Sequence, residues 1–325
     1  MAPAARVERI TARPDGGVGS SPAATVPHMP TPQPGIFALG HRSLHHLQLD
    51  IEPGVAPADV HEALVRIGNV STIRFGVSAV IGVAADVWNA IDPGGAPDLG
   101  RFVDRRGADD VTIAAGQHDL WFFLQASAPD AVFDAARLVE RELRGLARVV
   151  EEWPSFTYRS SQDMTGFEDG TENPPLSELP GVATIPDGKP GAGGSVVLLQ
   201  RWVHDLESFA ELPREEKEQV IGRTFYGSEE LPDDVRSPRA HISRVVIEDE
   251  NGEELEVFRR SAAYGGVLEH GLVFLAFSAD QLRLSRMLDR MLGIDDGIRD
   301  RLTDFSRAVA SAWYYAPTLE QLRGD

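Results

Sequence analysis

Cysteine does not occur anywhere in this chain of 325 residues. Its absence excludes disulfide bonds, thiolate nucleophiles, iron–sulfur clusters, and cysteine-ligated haem or zinc. Any metal that the chain holds would therefore need histidine or carboxylate ligands.

Positive charge is scarce, because 31 lysine and arginine residues stand against 50 aspartate and glutamate residues, a formal net charge of −19. Nucleic-acid binding depends on basic patches that displace counterions from phosphates. The charge balance therefore argues against nucleic acid and anionic membrane surfaces as partners. It favours neutral, cationic or metal-ion substrates.

Long hydrophobic runs are missing as well, since no segment approaches the ~18 uninterrupted apolar residues of a transmembrane helix. Residues 1–34 contain seven of the 22 prolines, together with much Ala, Gly and Ser. This composition predicts a disordered tail. The tail has neither the apolar core of a signal peptide nor a twin arginine, so we expect a cytoplasmic protein.

Two short apolar runs, at residues 118–124 and 270–276, have the length and aromatic content of buried strands. Each is followed by a segment with the apolar stripe of an amphipathic helix. This recurrence predicts a duplicated α+β fold, with antiparallel sheets and peripheral helices. We expect an N-terminal ferredoxin-like domain at residues 35–160 and a C-terminal one at residues 161–325.

The remaining elements follow from similar patterns. Helices are expected to begin near Pro57 and to span residues 213–222, and residues 225–240 read as a long loop of the kind that often carries function. The other predicted strands are residues 35–51, 72–85, 149–158, 195–204, 242–248, 254–261 and 312–317.

An acidic turn at residues 166–174, Gly-Phe-Glu-Asp-Gly-Thr-Glu-Asn-Pro, is the most informative motif. Gly166 and Gly170 can adopt positive φ angles, and Pro174 disfavours helix at the residue before it. Such a turn can hold the Asp169 carboxylate at a fixed angle beside a cavity, where it could move protons. The alternative is an Asx turn on the surface.

His241 stands out among nine histidines because it lies where the long loop meets a predicted strand. A cysteine-free haem protein needs a His, Met or Tyr axial ligand, and this junction would provide a rigid one. Such a ligand needs a carboxylate on its other nitrogen. Asp304 is a candidate, although it could equally be an exposed helix acid. His118, His204 and His270 are expected to be structural.

Arg259 and Arg260 are adjacent in a predicted strand, so their side chains should point to opposite faces. If one of them points inward, its guanidinium needs a partner such as a carboxylate, a phosphate or a developing oxyanion. The alternative is a pair of surface arginines.

Taken together, these motifs resemble the dye-decolorizing peroxidases, particularly their B-type (P) subfamily. The resemblance covers roughly residues 35–322 and keeps the family's order and spacing. It is carried by residues 166–174, 195–202, 221–224, 240–245, 259–261, 263–265 and 312–317.

The resemblance implies one haem b per chain, bound by the second half. His241 corresponds to the iron ligand, Asp304 to its hydrogen-bonding carboxylate, and Arg223 to an arginine near a propionate. Asp169 and Arg259 correspond to the catalytic pair on the open face. The side chains expected to wall that pocket are Leu272 and Phe274.

The implied activity is reduction of hydrogen peroxide to water through a ferryl intermediate, with oxidation of dyes, phenolics or similar donors. Glu168 and Ser261 depart from the family pattern. Because Glu168 would place a second charge beside Asp169, we expect Arg259 to contribute more to peroxide cleavage.

Further partners are less specified. Mn(II) is a candidate donor at Glu172, Glu230 and Glu254, since carboxylates suit this hard cation. The alternative is that these are solvated acids. Homo-oligomers are expected from the family. Candidate relays for bulky dyes are Trp202, Trp313, Tyr314 and Tyr315.

Two other classes of function stay open at this point. One is a haem-handling protein that stores or delivers haem, or releases its iron, with incidental peroxidase activity. The other is a haem-free ferredoxin-like binding module, against which an inward Arg259 and His241 argue.

Overall fold

The computed structural model describes residues 30–324, without the side chains of residues 69–75. Its strands are β1 (Ser43–Ile51), β2 (Ser78–Val83), β3 (Arg105–Arg106), β4 (Thr112–Ile113), β5 (Leu120–Ala126), β6 (Ala147–Phe156), β7 (Ser195–His204), β8 (Phe258–Arg259), β9 (Ala262–Gly265), β10 (His270–Ser278) and β11 (Ser306–Ala316).

Helices connect these strands and cover the outside of the sheet. They are α1 (Pro57–Phe75), α2 (Ala85–Ile91), α3 (Pro129–Glu142), α4 (Leu179–Ala183), α5 (Leu206–Glu211), α6 (Arg214–Ile221), α7 (His241–Val245), α8 (Gln281–Met291) and α9 (Leu319–Arg323), with 3₁₀ turns at Pro34–Phe37, Ala108–Asp110 and Arg301–Asp304. Among the described residues, no helix is both long and apolar enough to cross a bilayer.

The main sheet closes on itself. Its strands run in the order β7-β11-β2-β5-β1-β6-β9-β10, and β10 pairs again with β7, while the short β8 is attached to β10. All of these pairings are antiparallel. Closure leaves the eight ring strands with neighbours on both sides, which removes the exposed edges of an open sheet.

The ring consists of two copies of one topology. In the first unit β1, β2, β5 and β6 lie in the spatial order β6-β1-β5-β2. In the second, β7, β9, β10 and β11 lie in the order β11-β7-β10-β9. Numbered within each unit, both orders are 4-1-3-2, the ferredoxin-like arrangement. The predicted α+β duplication is therefore confirmed.

Apolar side chains fill both sides of this sheet. Inside the ring, Trp121 stacks on Phe123 and Tyr314, with ring centroids 6.0 and 5.8 Å apart. Outside it, α1, α3 and α8 cover a second core that includes Leu64, Val139 and Leu288. Full burial of side chains of this size stabilises by about 1.5–3 kcal/mol each, so both layers contribute to a rigid scaffold.

Most predicted elements are found, with shifted ends. The strands expected at residues 195–204 and the one beginning at His270 are confirmed as β7 and β10. The strand expected at residues 242–248 is wrong, because this segment starts with helix α7. The strand expected at residues 254–261 is reduced to β8.

The tail predicted at residues 1–34 lies outside the described residues up to residue 29. Its last part is packed rather than disordered. Gln33 is buried, and its side chain accepts a hydrogen bond from Ile81 N (2.8 Å) and donates to the carbonyls of Ile81 and Pro317. The folded body therefore begins a few residues before the predicted boundary.

Candidate functional site

A cleft lined by both apolar and polar side chains lies in the second unit. One wall is the outer face of β7 and β10, which contributes Trp202, Leu272 and Phe274. The opposite wall comes from α7, α8 and the 3₁₀ turn at Arg301–Asp304. Its apolar members include Val245, Met287, Met291 and Leu302.

His241 enters the cleft from the first position of α7. Its Nδ1 lies 2.6 Å from Oδ2 of Asp300, whose side chain is completely buried. The other carboxylate oxygen of Asp300 accepts a hydrogen bond from Leu302 N (2.8 Å), which caps the 3₁₀ turn. Because the carboxylate engages Nδ1, Nε2 is the nitrogen available to a metal, and the carboxylate fixes the orientation of the ring.

The partner of His241 is thus Asp300, and the prediction of Asp304 is wrong. Asp304 ends the same turn with a partly exposed side chain that pairs with Arg299 (2.6 Å) and, at 3.7 Å, with Arg239. It is not among the residues that line the cleft. A carboxylate at the N-cap of a short helix was the available signal for Asp300, because this position is oriented by backbone donors.

Asp169 lines the cleft from the acidic turn. Gly166 (φ 95°) and Gly170 (φ 78°) adopt the left-handed angles predicted for them. Asp169 N donates to Ser161 O (2.9 Å), which ties the turn to the preceding loop. Burial raises the pKa of Asp169, Arg259 opposes this shift, and the charge of Asp163 adds to it.

Glu168 does not supply the second charge expected beside Asp169. Its side chain is exposed, and the acid that acts on the pKa of Asp169 is Asp163. The prediction identified the correct effect, a carboxylate with a like-charged neighbour, and assigned it to the wrong residue.

Arg259 reaches the cleft from β8 and is fixed by its backbone. Asn173 Oδ1 accepts from Arg259 N (2.8 Å), and Asn173 Nδ2 donates to Arg259 O (3.0 Å). The motif that carries Asp169 therefore also holds the strand that carries Arg259. Burial lowers the pKa of Arg259, whereas Asp169 and Glu254 raise it.

The Nε–H of Arg259 is buried and has no partner among the described residues. An orphaned guanidinium donor beside a cleft is costly unless a ligand accepts from it. Arg260 points the other way and donates to the carbonyls of Ile36 (2.6 Å) and Ala38 and to Gln125 Oε1. Neutral oxygens thus satisfy the buried guanidinium of Arg260. The expectation that a buried arginine needs an anionic partner, such as a carboxylate or a phosphate, does not hold there.

Leu272 and Phe274 lie in the cleft wall as expected, but Arg223 does not line it. The Arg223 guanidinium is paired with Glu172 and, at 3.0 Å, with Glu230. Its charge is close enough to lower the pKa of Arg259.

Sequence reasoning missed several cleft residues, of which His204 is the most polar. Its ring lies between Asp163 Oδ2 (Nε2, 3.2 Å) and Ser306 Oγ (Nδ1, 2.8 Å). Gln200 also lines the cleft. Strand alternation places Gln200, Trp202 and His204 on one face of β7. Because Trp202 was already a candidate, this alternation could have identified the other two residues.

The cleft fits the cofactor that the sequence resemblance implies. It combines an imidazole with a free nitrogen, apolar walls and an unpartnered guanidinium donor. These are the features expected around a flat, apolar macrocycle with an iron at its centre and small oxygen ligands on one face.

Comparisons with known proteins point the same way. Residues 56–157 match the family model "Dyp-type peroxidase, N-terminal", and residues 160–321 match "Dyp-type peroxidase, C-terminal". A dye-decolorizing peroxidase of Rhodococcus erythropolis is 34% identical over 90% of this chain and 88% of its own length. One of Mycolicibacterium paratuberculosis is 36% identical over 91% and 86%.

Solved structures agree with the sequence relatives. The encapsulated DyP-type peroxidase of Mycobacterium smegmatis superposes with a TM-score of 0.85 and 33% identity, covering 90% of this chain and 98% of that one. A variant of Rhodococcus jostii DypB in complex with heme has a TM-score of 0.84 and 30% identity, with the same coverage.

Proposed function

The chain belongs to the Dyp-type peroxidase family, and we propose that His241, Asp169 and Arg259 carry out its reaction. The activity is that of a haem peroxidase, which reduces hydrogen peroxide to water and oxidises one-electron donors such as dyes. The observation that supports these residue roles is their meeting in one apolar cleft, with an imidazole and an acid–guanidinium pair. A haem-handling role with incidental peroxidase activity is not favoured by these relatives.

His241 would hold the iron through Nε2. Its Nδ1–H donates to Asp300, and this buried carboxylate fixes the ring and increases its electron donation. When bound, haem supplies the redox centre that cleaves the peroxide bond and stores the oxidising equivalents. Leu272 and Phe274 would flank it and keep bulk water out.

Asp169 would accept the proton of bound hydrogen peroxide and return it to the departing oxygen. Only its ionised form can accept that proton, and general acid–base help of this kind contributes ~10²–10⁴-fold. Burial and Asp163 raise the pKa of Asp169, which reduces its ionised fraction in acid.

Arg259 would stabilise the negative charge that develops on the departing oxygen. Its guanidinium stays protonated and cannot act as the base at neutral pH. The unpartnered Nε–H provides a donor already in place, so little reorganisation is needed during the reaction. We expect Arg259 to contribute more than Asp169, because burial works against the ionised carboxylate.

The test of this function is spectroscopic and kinetic. Protein purified with haem should show a Soret band, which peroxide converts rapidly to an oxidised spectrum, followed by sustained oxidation of an added dye. A protein that binds haem but turns over donor no faster than free haem would contradict the proposal.

We propose homo-oligomers, supported by the Val267 and Leu268 side chains at the β9–β10 hairpin, which are 94% and 100% exposed. We also propose a cytoplasmic location, and domain limits at residues 35–160 and 161–325. Light scattering, cell fractionation and limited proteolysis test these three statements.

Mn(II) remains a candidate donor at Glu172, Glu230 and Glu254. Among the described residues, no group of three or more histidine or acidic side chains is arranged to hold a metal. Glu172 and Glu230 are bonded to Arg223. Mn(II) would therefore have to compete with Arg223 for the two glutamates, and a haem propionate would have to compete with the glutamates for Arg223. Saturable stimulation of turnover by Mn(II) would support this site, and a flat titration would remove it.

A further inference from the structure

His204 occupies a position in the cleft that the roles above leave unexplained. It is the last residue of β7, and only 6% of its side chain is exposed. Both ring nitrogens have partners: Nδ1 lies 2.8 Å from Ser306 Oγ on β11, and Nε2 lies 3.2 Å from Asp163 Oδ2. The imidazole therefore connects β7 and β11 of the closed sheet to the loop before the acidic turn.

Asp163 organises that loop. Its Oδ1 accepts from Thr165 N (2.8 Å), its carbonyl accepts from Gly166 N (2.9 Å), and its N–H donates to Phe167 O (2.9 Å). These bonds fold the chain into a compact turn that leads directly to Asp169. Movement of Asp163 would therefore displace the catalytic carboxylate.

The same residue also acts on Asp169 through its charge. Burial alone would raise the pKa of Asp163, but the hydrogen bond and charge of His204, together with Thr165, lower it to about 2. Asp163 thus ionises at a lower pH than Asp169, whose pKa is raised. Among the described residues, Arg259 on β8 and His241 on α7 act on Asp169 in the opposite sense, and both lower its pKa.

We propose that His204 and Asp163 are a positioning pair, which holds the loop of Asp169 against β7 and keeps a fixed negative charge beside the catalytic carboxylate. This inference rests on the proposed role of Asp169. It gives the pair two separable effects, one on the position of Asp169 and one on the pH at which it ionises.

The charge effect is tested with Asp163→Asn in the haem-loaded enzyme. If Asp169 acts as proposed, the rate of reaction with peroxide should fall in acid as this carboxylate becomes protonated. Removal of the neighbouring anion stabilises ionised Asp169, so the acid limb of the pH–rate profile should move down by about one pH unit. Asp163→Glu, which restores the charge, should bring the limb back towards that of the unmodified enzyme.

Asp205→Asn is the matched control. Asp205 follows His204 in the chain, but its carboxylate caps α5 through Ser208 N (3.0 Å) at the surface. The same loss of charge there should leave the acid limb unchanged. Equal shifts for the Asp205 and Asp163 variants would overturn the proposal, because net charge alone would then explain them.

The position effect is tested with His204→Gln, which keeps a hydrogen-bond donor, now an amide, but removes the ring that spans Asp163 and Ser306. We expect the plateau rate above the acid limb to fall about threefold to tenfold, since small displacements of a catalytic group are costly. Combined with Asp163→Asn, the losses in plateau rate should be less than additive.

An unchanged plateau in the His204 variant, or an unmoved acid limb in an Asp163→Asn enzyme with a normal Soret band, would overturn the pair's role. If Asp163→Asn does not retain haem, the His204 variant decides alone. Failure of the proposed function is distinguishable, because Asp169→Ala would then react with peroxide as fast as the unmodified enzyme.

Discussion

The two ferredoxin-like units share one strand order but differ in what connects their first two strands. In the first unit a single long helix, α1, joins β1 to β2 and packs on the sheet. In the second, the connection from β7 to β9 spans residues 205–261 and contains α5, α6, α7 and β8. This longer connection brings His241 and Arg259 to the cleft, while Asp169 reaches it from the segment before β7, so the loops and connections supply the polar cleft residues named above and the repeated sheet supplies the framework.

Two histidines, His46 in the first unit and His241 in the second, show a similar contrast. His46, on β1, is 1% exposed and stacks on Phe123 with ring centroids 4.8 Å apart. Burial lowers the pKa of His46 to about 3, so this imidazole is neutral. His241 instead has a buried carboxylate at Nδ1 and an open cleft at Nε2. The proposed ligand therefore differs from His46 in its surroundings, because its carboxylate partner Asp300 comes from the 3₁₀ turn that follows α8.

The largest effect is expected from His241→Ala, which should abolish tight haem binding and remove the axial-ligand spectrum. His46→Gln tests the contrast, because it should retain haem while lowering the free energy of unfolding by about 1–3 kcal/mol. Haem titration followed by absorbance, with thermal unfolding of both variants, measures this. Full haem occupancy and an unchanged spectrum in His241→Ala would refute the assignment.

Next in size are the substitutions on the open face of the cleft. Arg259→Leu should slow the reaction with peroxide by about 10³-fold, and Asp169→Ala by about 10²-fold. The reason is that burial disfavours the ionised form of Asp169, while the guanidinium stays charged. Stopped-flow rates for both variants provide the measurement, and a larger loss for Asp169→Ala would reverse the ranking.

A smaller effect is expected behind the iron ligand, where two aspartates of one short turn can be compared. Asp300→Asn should weaken haem binding or activity by about 10–100-fold, because His241 loses its buried anionic partner. Asp304→Asn removes the same charge four residues later and should change neither. If Asp304→Asn has the larger effect, the partner of His241 has been misassigned.

The smallest predicted change is in how the rate of reaction with peroxide depends on pH in acid. The pKa of Asp169 lies above its ordinary value, so its ionised form is lost at a higher pH than for an exposed aspartate. As the solution is acidified, the rate of reaction with peroxide should therefore begin to fall at a pH above the ordinary Asp pKa of about 3.9. Stopped-flow measurement across acidic pH should show this limb in the unmodified enzyme and not in Asp169→Ala.

Strong local patterns made much of the fold predictable. β10 is a continuous apolar run between polar ends, β7 begins with the apolar run at residues 196–199, and the glycines of the acidic turn occupy the positive-φ positions that their sequence suggested. Asp169 and His241 could be selected as candidates from their local sequence, whereas the choice of Arg259 over Arg260 came from the resemblance to the family.

Features that depend on tertiary packing were not predictable. Ile242 and Val245 favour a strand locally, yet they form helix α7, whose end is held by Arg290 donating to Ser243 O (2.7 Å) and Val246 O. The N-cap position favours Asp300 over Asp304 locally, but the complete burial of Asp300 against His241, which decides between them, depends on packing. His204 appeared to end a strand without a function, because its partner Asp163 is distant in the chain.

Closure of the ring has a consequence for how the enzyme is assembled. The seams between the units join Phe156 to Ala263 and Val83 to Tyr315, residues far apart in sequence. Such contacts form late, because a long loop must close before they stabilise anything. A fragment cut between β6 and β7 would expose unpaired strands on both sides and tend to associate. Separate expression of the catalytic half should therefore yield aggregates rather than a smaller enzyme, and co-expression of both halves is the route to recover it.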